Sequence, residues 1–480
     1  MSLSSKIFHG MAWSAVERLS VQAVQFGLGI ILARILTPKE YGVLGILLVF
    51  ITIANVFVDS GFTKALIQKQ DRSADDITTV FFFNIAISLV CYFLLWWTAP
   101  LIATFYEIDQ LTPLLRVLSL SLIINALFAV PVTLITIDLD FKTLTKVNFA
   151  TAIISGSIAV YMAYIGYGVW SLVAQILIRS SLTVILVWWL TKWRPTGSFS
   201  KSSLKQLFSY GSKLLASSLL NVTVNNFYAL FIAKLISTKD LGYYTRGTQF
   251  SDVVFGVLSN VLDSVLLPGL SKIQEQRDVL IQQTRNIIKA TALLIIPLFL
   301  FLSIIAEPLI RLLLTEKWMP AVPIMQIFCI ARMITIISGI NVNLLYVIGR
   351  TDLTLKQQYS KIAVRVILLL AALKYGIIYI ALAELLSTII HFFINTYYPG
   401  KIMNYGATAQ LKDLQTISLA SLLMIIVVFG GMYFIDNDFL KLCIALILAL
   451  PIYFGLLRLF KVKELESLLK KVKEFSKHKN

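Results

Sequence analysis

Long apolar runs of helix length alternate with short polar breaks along the whole chain. A membrane-spanning helix needs about 20 mostly apolar residues, and fourteen runs fit that pattern, in a layout of six, six and a final pair. At each of the breaks 166–168 and 374–376, the sequence is also compatible with one kinked helix in place of two spans. That alternative reduces the count to twelve spans. The predicted spans are 9–36, 41–63, 77–101, 114–137, 146–166, 168–191, 207–236, 241–270, 286–305, 322–348, 360–375, 377–398, 414–435 and 439–460.

Lysine and arginine concentrate in every second loop between the predicted spans. Short cytoplasmic loops carry an excess of these residues, so the alternation predicts that both termini are cytoplasmic. The start of the chain shows no compact apolar segment with a small-residue cleavage site, so the first span is expected to stay in the mature protein. The tail at 461–480 holds seven Lys against three Glu and is expected to lie on anionic lipid headgroups.

The composition excludes the soluble classes of protein. Hydrophobic residues make up 58% of the chain and charged residues 14%, and the mean hydropathy is +0.82. The net charge of +17 fits the positive-inside pattern, so it does not argue for nucleic-acid binding. The three cysteines lie separately inside apolar runs, and no metal, cofactor or catalytic motif is found. The sequence therefore predicts a membrane protein that is not an enzyme and has no cofactor.

An internal repeat relates the two groups of six spans. The segments 31–42 (ILARILTPKEYG) and 231–242 (FIAKLISTKDLG) align at an offset of 200 residues, and their apolar, cationic, hydroxyl, acidic and glycine positions coincide. Six is an even number, so both groups enter the membrane in the same sense, as in the parallel repeats of alternating-access transporters. The pattern predicts a substrate site near the repeat interface. The alternative is that two helix ends converged on the same capping chemistry.

Polar side chains follow one face of the first span and one face of the seventh. Their spacings of three and four residues keep them on one side of a helix, and such a side is too polar to face lipid. Two polar faces of this kind are expected to line a central cleft, or else to join helices by hydrogen bonds. The two stripes comprise Ser14, Arg18, Gln22, Gln25 and Gly29 in the first span, and Lys213, Ser217, Asn221, Asn225 and Tyr228 in the seventh.

Ionisable residues inside the spans are candidates for ion coupling. A charge near the middle of a span costs at least about 2.5–3.5 kcal/mol, so it usually faces water or a partner. Asp59, Arg179 and Arg365 are expected to reach the cytoplasmic surface from nearby span ends. Glu384 and His391 lie two turns apart on one face, where they are candidates for carrying a proton; His391 is equally compatible with a neutral packing role. The ion-coupling candidates are Glu17, Asp59, Asp252, Asp263, Glu384 and His391.

Several short motifs resemble those of one transporter family. They are 10–18 (GMAWSAVER), 32–42 (LARILTPKEYG), 57–62 (FVDSGF), 141–142 (FK), 168–170 (GVW), 241–246 (LGYYTR), 316–318 (EKW) and 349–352 (GRTD). Together they resemble the polysaccharide transporter branch of the MOP flippase superfamily, the Wzx-like exporters of the colanic acid and teichuronic acid type. The resemblance covers most of residues 8–400, while the last two spans and the tail match in hydropathy only.

The resemblance implies an all-α membrane protein of about 14 transmembrane helices in two parallel-related six-helix lobes arranged as a V. The lobes would be 1–200 and 201–400, followed by a helix pair at 401–460 and a basic cytoplasmic tail at 461–480. Such proteins move a lipid-linked oligosaccharide, of the undecaprenyl-pyrophosphate type, across the bacterial inner membrane. The implied partners are this substrate, anionic lipid, and polysaccharide polymerase and assembly proteins.

Given that implied substrate, the cavity side chains acquire candidate roles. A diphosphate headgroup needs cations, and amides bind sugar hydroxyls. The substrate-binding candidates are Arg18, Gln22, Gln25, Arg34, Lys213, Asn221, Asn225, Lys234 and Arg332. Since no ATP-binding motif is present, an ion gradient is expected to drive transport.

Two other functions stay open from the sequence. A cation-coupled multidrug exporter of the same superfamily would have an acidic, aromatic-lined cavity, whereas the internal candidates here are mainly basic. A membrane-embedded glycan polymerase or ligase would carry a sizeable external loop for its chemistry, and the predicted external loops are short.

Overall fold

The protein is an all-helical, multi-pass membrane protein. A computed structural model describes residues 20–59, 61–69, 71–138, 140–191, 193–462 and 464, and the regular structure of these residues is helical throughout. The chain divides into two compact units, Met1–Gly242 and Tyr243–Asn480. The predicted lobe boundary at residue 200 is earlier than this division, because the helix that begins at Lys201 packs against helices of the first unit.

The described helices of the first unit follow one another with short turns. They are α1 (Ser20–Ile35), α2 (Pro38–Asp59), α3 (Phe62–Gln68), α4 (Ala74–Tyr106), α5 (Leu111–Leu118), α6 (Leu120–Ile137), α7 (Phe141–Tyr164), α8 (Val169–Thr191) and α9 (Lys201–Leu235). The amphipathic helix α5 contributes four leucines without any exposed surface to the core, at positions 111, 114, 115 and 118. This core packs α5 against α2, α4 and α8.

The second unit begins within α10 and ends in a packed helix pair. Its helices are α10 (Thr238–Ser271), α11 (Arg277–Ile304), α12 (Ala306–Leu314), α13 (Val322–Val347), α14 (Thr351–Ala372), α15 (Ile377–Met403), α16 (Ala407–Tyr433) and α17 (Asp438–Leu459), with 3-10 turns at Glu316–Ala321 and Leu373–Tyr375. A large apolar core joins α11, α13, α16 and α17. The predicted C-terminal helix pair is therefore packed into this unit.

Each of the fourteen predicted spans overlaps one helix or a pair of consecutive helices. Of the helices in the described residues, eleven are long and apolar enough to cross a membrane. The other three predicted spans correspond to α1, α9 and α14. The described part of α1 is short, and the apolar stretch found in the described part of α9 is Asn226–Leu235. Helix α14 carries charges at Asp352, Lys356, Lys361 and Arg365. The exact number of crossings stays a prediction.

Glycine turns separate the two helix pairs that the sequence left ambiguous. Gly166 and Gly168, between α7 and α8, have φ values of 91° and 53°, and Gly376, before α15, has a φ of 101°. These left-handed values suit glycine and do not occur inside an α-helix. Helices α7 and α8 pack along each other, as do α14 and α15. The alternative of single kinked helices is therefore wrong at both breaks.

The internal repeat has matching structure at its two copies. Thr37 Oγ1 donates to Glu40 Oε2 at 2.8 Å at the start of α2, and Ser237 Oγ donates to Asp240 Oδ2 at 2.5 Å at the start of α10. In each copy the acidic residue's backbone N–H also bonds the hydroxyl oxygen of the residue three positions earlier. Both helices thus begin with the same capping arrangement.

The two copies also contact each other reciprocally. A Cβ added at Gly42 would overlap the carbonyl oxygen of Thr238, and a Cβ added at Gly242 would overlap that of Pro38. The offset of 200 residues relates Gly42 to Gly242 and Pro38 to Thr238. Only glycine allows this close backbone approach. Converged helix caps alone do not account for such a reciprocal contact.

Contacts between loops support the predicted alternation of sides. At one end of the first unit, Lys234 Nζ lies 2.8 Å from Glu107 Oε1, which joins two loops of predicted external position. At the other end, the Ser198 N–H donates to Asp75 Oδ1 at 2.7 Å, which joins two loops of predicted cytoplasmic position. In the second unit, Arg311 pairs with Asp438 at 3.3 Å, again between loops of the same predicted side.

Reporter fusions test which side is cytoplasmic. We expect fusions at Ser198 and Gln358 to report a cytoplasmic position and fusions at Lys39 and Asp436 an external one, because basic loops are retained inside. Paired phosphatase and fluorescent-protein reporters measure this. Detection of Lys39 and Ser198 on the same side would contradict the topology.

Candidate functional site

Arg179 lies in the middle of a predicted span of the first unit. It is the eleventh of the 23 residues of α8, about 15 Å from one helix end and about 18 Å from the other at 1.5 Å per residue. Those distances exceed the reach of an arginine side chain. The expectation that Arg179 reaches the membrane surface is therefore wrong.

The partner of Arg179 is Gln25 of α1. In the amide orientation that satisfies both groups, Gln25 Oε1 accepts hydrogen bonds from both terminal nitrogens of Arg179, at 3.0 Å from Nη2. Within the described residues, Arg179 has no ion pair with a carboxylate and no charged group contributes to its electrostatic environment. A guanidinium that meets only an amide keeps its full positive charge available for an anion.

The next residue of α8 makes a second polar contact. Ser180 Oγ donates to Asn125 Oδ1 of α6 at 2.9 Å, so α1, α6 and α8 each contribute one or more polar side chains. We call Gln25, Asn125, Arg179 and Ser180 the first-unit cluster. Sequence reasoning identified only Gln25 among them as a binding candidate, although a mid-span arginine was itself a sufficient signal. Gln22 lies in α1 one turn before Gln25 and is half-buried.

Several candidates lie away from the middle of a span. Arg34 is exposed in the last turn of α1, and Lys234 lies in the last turn of α9, where it pairs with Glu107 and stacks 5.1 Å from the Phe105 ring. The hydrogen bond from Lys234 holds the pKa of Glu107 below its usual value. Asp59 is the exposed last residue of α2 and accepts from Thr63 Oγ1. The exposed helix-end position of Asp59 is compatible with its expected place near the membrane surface. The substrate-binding roles of Arg34 and Lys234 stay predictions.

Other candidates belong to the part of the chain that the structure does not describe. Glu17 and Arg18 precede the first described residue, and the side chains of Lys213, Asn221 and Asn225 on α9 are likewise outside the described set. The predicted polar stripes of the first and seventh spans therefore stay predictions, apart from Gln22, Gln25 and the buried Tyr228.

In the second unit, a substrate candidate and a coupling candidate pair with each other. Arg332 Nε of α13 lies 2.6 Å from Asp252 Oδ1 of α10, and their side chains are 21% and 41% exposed. The rings of Phe255 and Phe328 each lie 5.2 Å from the guanidinium. Arg332, a substrate-binding candidate, and Asp252, an ion-coupling candidate, therefore form one ion pair with each other.

A second ion pair in the same unit is more deeply buried. Arg365 Nη2 of α14 lies 3.0 Å from Glu384 Oε1 of α15, and the Glu384 side chain is only 5% exposed. Arg365 is the fifteenth residue of α14, about 21 Å from its start. The expectation that Arg365 reaches the cytoplasmic surface is wrong, because its guanidinium is held inside the unit by the buried Glu384.

His391 lies on the same face of α15 as Glu384. Its Nε2 is 3.0 Å from the carbonyl oxygen of Lys361 and 3.1 Å from Ser387 Oγ. A carbonyl only accepts, so Nε2 carries a hydrogen and donates it. This geometry matches the hydrogen-bonded packing role that the sequence left open for His391, and a role in carrying a proton stays a prediction.

A buried amide network was missed by sequence reasoning. Asn341 of α13 and Gln410 of α16, both without exposed surface, exchange two hydrogen bonds of 3.1 and 2.7 Å. Asn395 of α15 donates to Ser338 Oγ at 3.3 Å. These residues are uncharged and lie in apolar helices without a distinctive spacing, so the sequence pattern did not indicate them. Because buried amides cost free energy unless paired, the network fixes α16 against α13.

Comparison with known proteins places these features in context. A family model described as polysaccharide biosynthesis protein matches residues 31–323. The teichuronic acid biosynthesis protein TuaB of Bacillus subtilis (strain 168) is 25% identical over 437 residues, which covers 89% of each chain. The succinoglycan biosynthesis transport protein ExoT of Rhizobium meliloti (strain 1021) is 23% identical over 326 residues, covering 68% of this chain and 66% of the relative.

A solved structure shares the fold. The lipid II flippase MurJ, in an inward closed conformation, superposes with a TM-score of 0.74 at 17% identity, and the match covers 94% of this chain and 98% of the other. At this identity the likeness establishes the helical architecture.

Proposed function

Because this chain belongs to the polysaccharide biosynthesis protein family, we propose that it flips a lipid-linked oligosaccharide across the bacterial cytoplasmic membrane for surface polysaccharide synthesis. The substrate would carry an undecaprenyl-pyrophosphate anchor and cross by alternating access between the two repeats. The protein acts as a transporter and not as an enzyme in this proposal.

The relatives support the class of substrate. They are named for two different polysaccharides, teichuronic acid and succinoglycan, and one of them is named a transport protein. Their common feature is therefore the supply of polysaccharide, and the particular glycan of this chain is left open.

The observation that carries the proposal is the guanidinium of Arg179 in the middle of α8, which has no carboxylate partner among the residues that the structure describes. A buried cation without a carboxylate is costly unless an anion binds to it. A guanidinium matches the paired oxygens of a phosphate. The neighbouring Gln25, Asn125 and Ser180 offer hydrogen bonds for the sugar next to the diphosphate.

The same observation weighs against the two alternatives. An exporter of cationic drugs would place a carboxylate where the first-unit cluster has Arg179, because like charges repel. A glycan polymerase or ligase would need groups that activate a sugar hydroxyl, and the first-unit cluster contains amides, a hydroxyl and an arginine, none of which is a base at neutral pH.

The proposal extends to location and partners. The protein would reside in the bacterial inner membrane with both termini in the cytoplasm and anionic lipids around its basic tail. Polysaccharide polymerase and assembly proteins would receive the flipped unit. An ion gradient would supply the driving force.

A gene deletion tests the proposal by the side on which substrate accumulates. Without the protein, we expect unpolymerised lipid-linked oligosaccharide to accumulate on the cytoplasmic leaflet, and the purified protein in liposomes to move that lipid between leaflets. Lectin accessibility in sealed, oriented vesicles measures both. Accumulation on the outer leaflet would indicate a polymerase or ligase. An unchanged glycan with raised drug sensitivity would indicate a drug exporter.

A further inference from the structure

Two carboxylates on α10 face α13 with the same geometry but different partners. Asp252 Oδ1 lies 2.6 Å from Arg332 Nε, and Asp263 Oδ1 lies 3.0 Å from Asn343 Nδ2. The spacing is eleven residues on both helices, which is three turns and returns to nearly the same face. One carboxylate is thus held by a cation and the other by a neutral amide.

Open space lies beside the Asp252–Arg332 pair. Gly256 of α10 and Gly339 of α13 fall on the faces between the two contacts, four and seven residues after Asp252 and Arg332. A Cβ added at either glycine would meet no other atom within 4 Å. Asp252 is also the more exposed member of its pair, at 41%. The carboxylate therefore has room to leave Arg332, and an anion has room to take its place.

We propose that Asp252 is a displaceable counter-ion, which the anionic headgroup of the substrate replaces on Arg332 and which takes up a proton when it is displaced. The inference rests on the proposed function, because it assumes a diphosphate-bearing substrate. It assigns to Arg332 the binding of a phosphate oxygen, and to Asp252 the neutralisation of one negative charge introduced with that headgroup.

The physical reason is the repulsion between two anions in a partly buried site. Once a phosphate binds Arg332, the Asp252 carboxylate has lost its cation and stands beside a second negative group. Protonation removes that repulsion, since two carboxylate-like anions at contact distance do not both keep their charge. No covalent bond forms or breaks; one proton passes from water to the displaced carboxylate.

Among the charged and titratable groups around the Asp252–Arg332 pair, the protonation of Asp252 is the main change in charge. Tyr244 of α10 and Cys329 of α13 are neutral side chains at neutral pH. Arg365 of α14 and Glu384 of α15 form an ion pair of their own at 3.0 Å. The charge of Glu384 acts on Arg332, and the charge of Arg365 acts on Tyr244. The Arg332 site is therefore neutral with Asp252 ionised and singly positive with Asp252 protonated.

Binding measurements at several pH values test the proposal. Full-length protein in lipid nanodiscs is titrated with farnesyl diphosphate, an isoprenoid diphosphate that serves as the probe, between pH 6 and pH 8. Uptake of one proton makes affinity rise as pH falls, by up to about tenfold per pH unit. The probe's own titration is common to all variants, so differences between variants isolate the protein's contribution.

Matched variants separate Asp252 from its neighbours. Asp252→Asn should bind the probe at pH 8 at least as tightly as the wild type does at pH 6, with a flattened pH profile. Arg332→Gln should lose the pH-dependent part of binding. Asp352→Asn removes a carboxylate of the same unit that is paired with Arg350 at 2.9 Å, and should keep the wild-type pH profile.

The outcomes distinguish this inference from the proposed function. If Asp252→Asn keeps the wild-type profile, or if Asp352→Asn flattens it equally, the displaceable counter-ion is refuted while diphosphate binding stands. If the wild type binds farnesyl diphosphate no more tightly than farnesol at any pH, the diphosphate substrate and the inference are both overturned.

Discussion

Replacing Arg179 by leucine is expected to reduce export of the lipid-linked glycan at least about tenfold, which corresponds to the loss of about 1.4 kcal/mol of charge-assisted binding. Arg179→Lys should keep part of the activity, because it retains the charge but not the two-pronged geometry. Gln25→Leu should have a smaller effect than Arg179→Leu. The measurement is glycan export in a deletion strain, normalised to the amount of protein in the membrane.

A second arginine of the same unit provides the control. Arg116 lies at the end of α5, where its guanidinium donates to the Trp96 carbonyl oxygen and covers the Trp96 ring at 4.0 Å. It has neutral partners as Arg179 does, but it lies outside the middle of a span. Arg116→Leu should leave export near the wild-type rate. Full export by Arg179→Leu at a normal protein level would reject the headgroup role.

Replacing Arg365 by leucine is expected to destabilise the second unit by about 3–5 kcal/mol, because it leaves the buried Glu384 carboxylate without its cation. Thermal unfolding of the purified protein and its level in the membrane measure this loss. The double variant Arg365→Leu with Glu384→Leu should recover most of the stability, since both charges are then absent.

An exposed pair of arginine and carboxylate provides the comparison. Arg350 and Asp352 form a two-bonded ion pair with side chains that are 49% and 54% exposed, and Arg350→Leu should change the unfolding temperature little. Equal stability of Arg365→Leu and wild type would contradict the prediction, as would a double variant no more stable than the single one.

The overall architecture was predictable because it follows from patterns along a single chain. Apolar run length predicted where the helices lie, and the alternation of Lys and Arg predicted which loops share a side, in agreement with the Ser198–Asp75 and Lys234–Glu107 contacts. The family resemblance is confirmed by a match over more than half of the chain. Periodicity and composition need no knowledge of partners, which is why these features were accessible.

The pairing of charged side chains was not predictable, because it depends on which helices pack against each other. Spacing along one helix indicates which residues share a face, as it did for Glu384 and His391, but it does not indicate which helix that face meets. Arg332 and Asp252 therefore received separate roles, although they are bonded to each other. The position of Arg365 was predicted wrongly because the predicted span begins nine residues after the start of α14. A residue inside that helix was therefore placed close to a span end.

The reciprocal contact of Gly42 with Thr238 and of Gly242 with Pro38 bears on how this protein arose. When residue i of one copy touches residue j of the other, and j of the first touches i of the second, the contact has the form of an isologous interface in a two-fold symmetric dimer. The contact therefore has the form expected if the two copies arose by duplication and fusion of a unit that paired with itself. A side chain at either glycine would overlap a backbone carbonyl of the other copy, so both positions carry the same constraint.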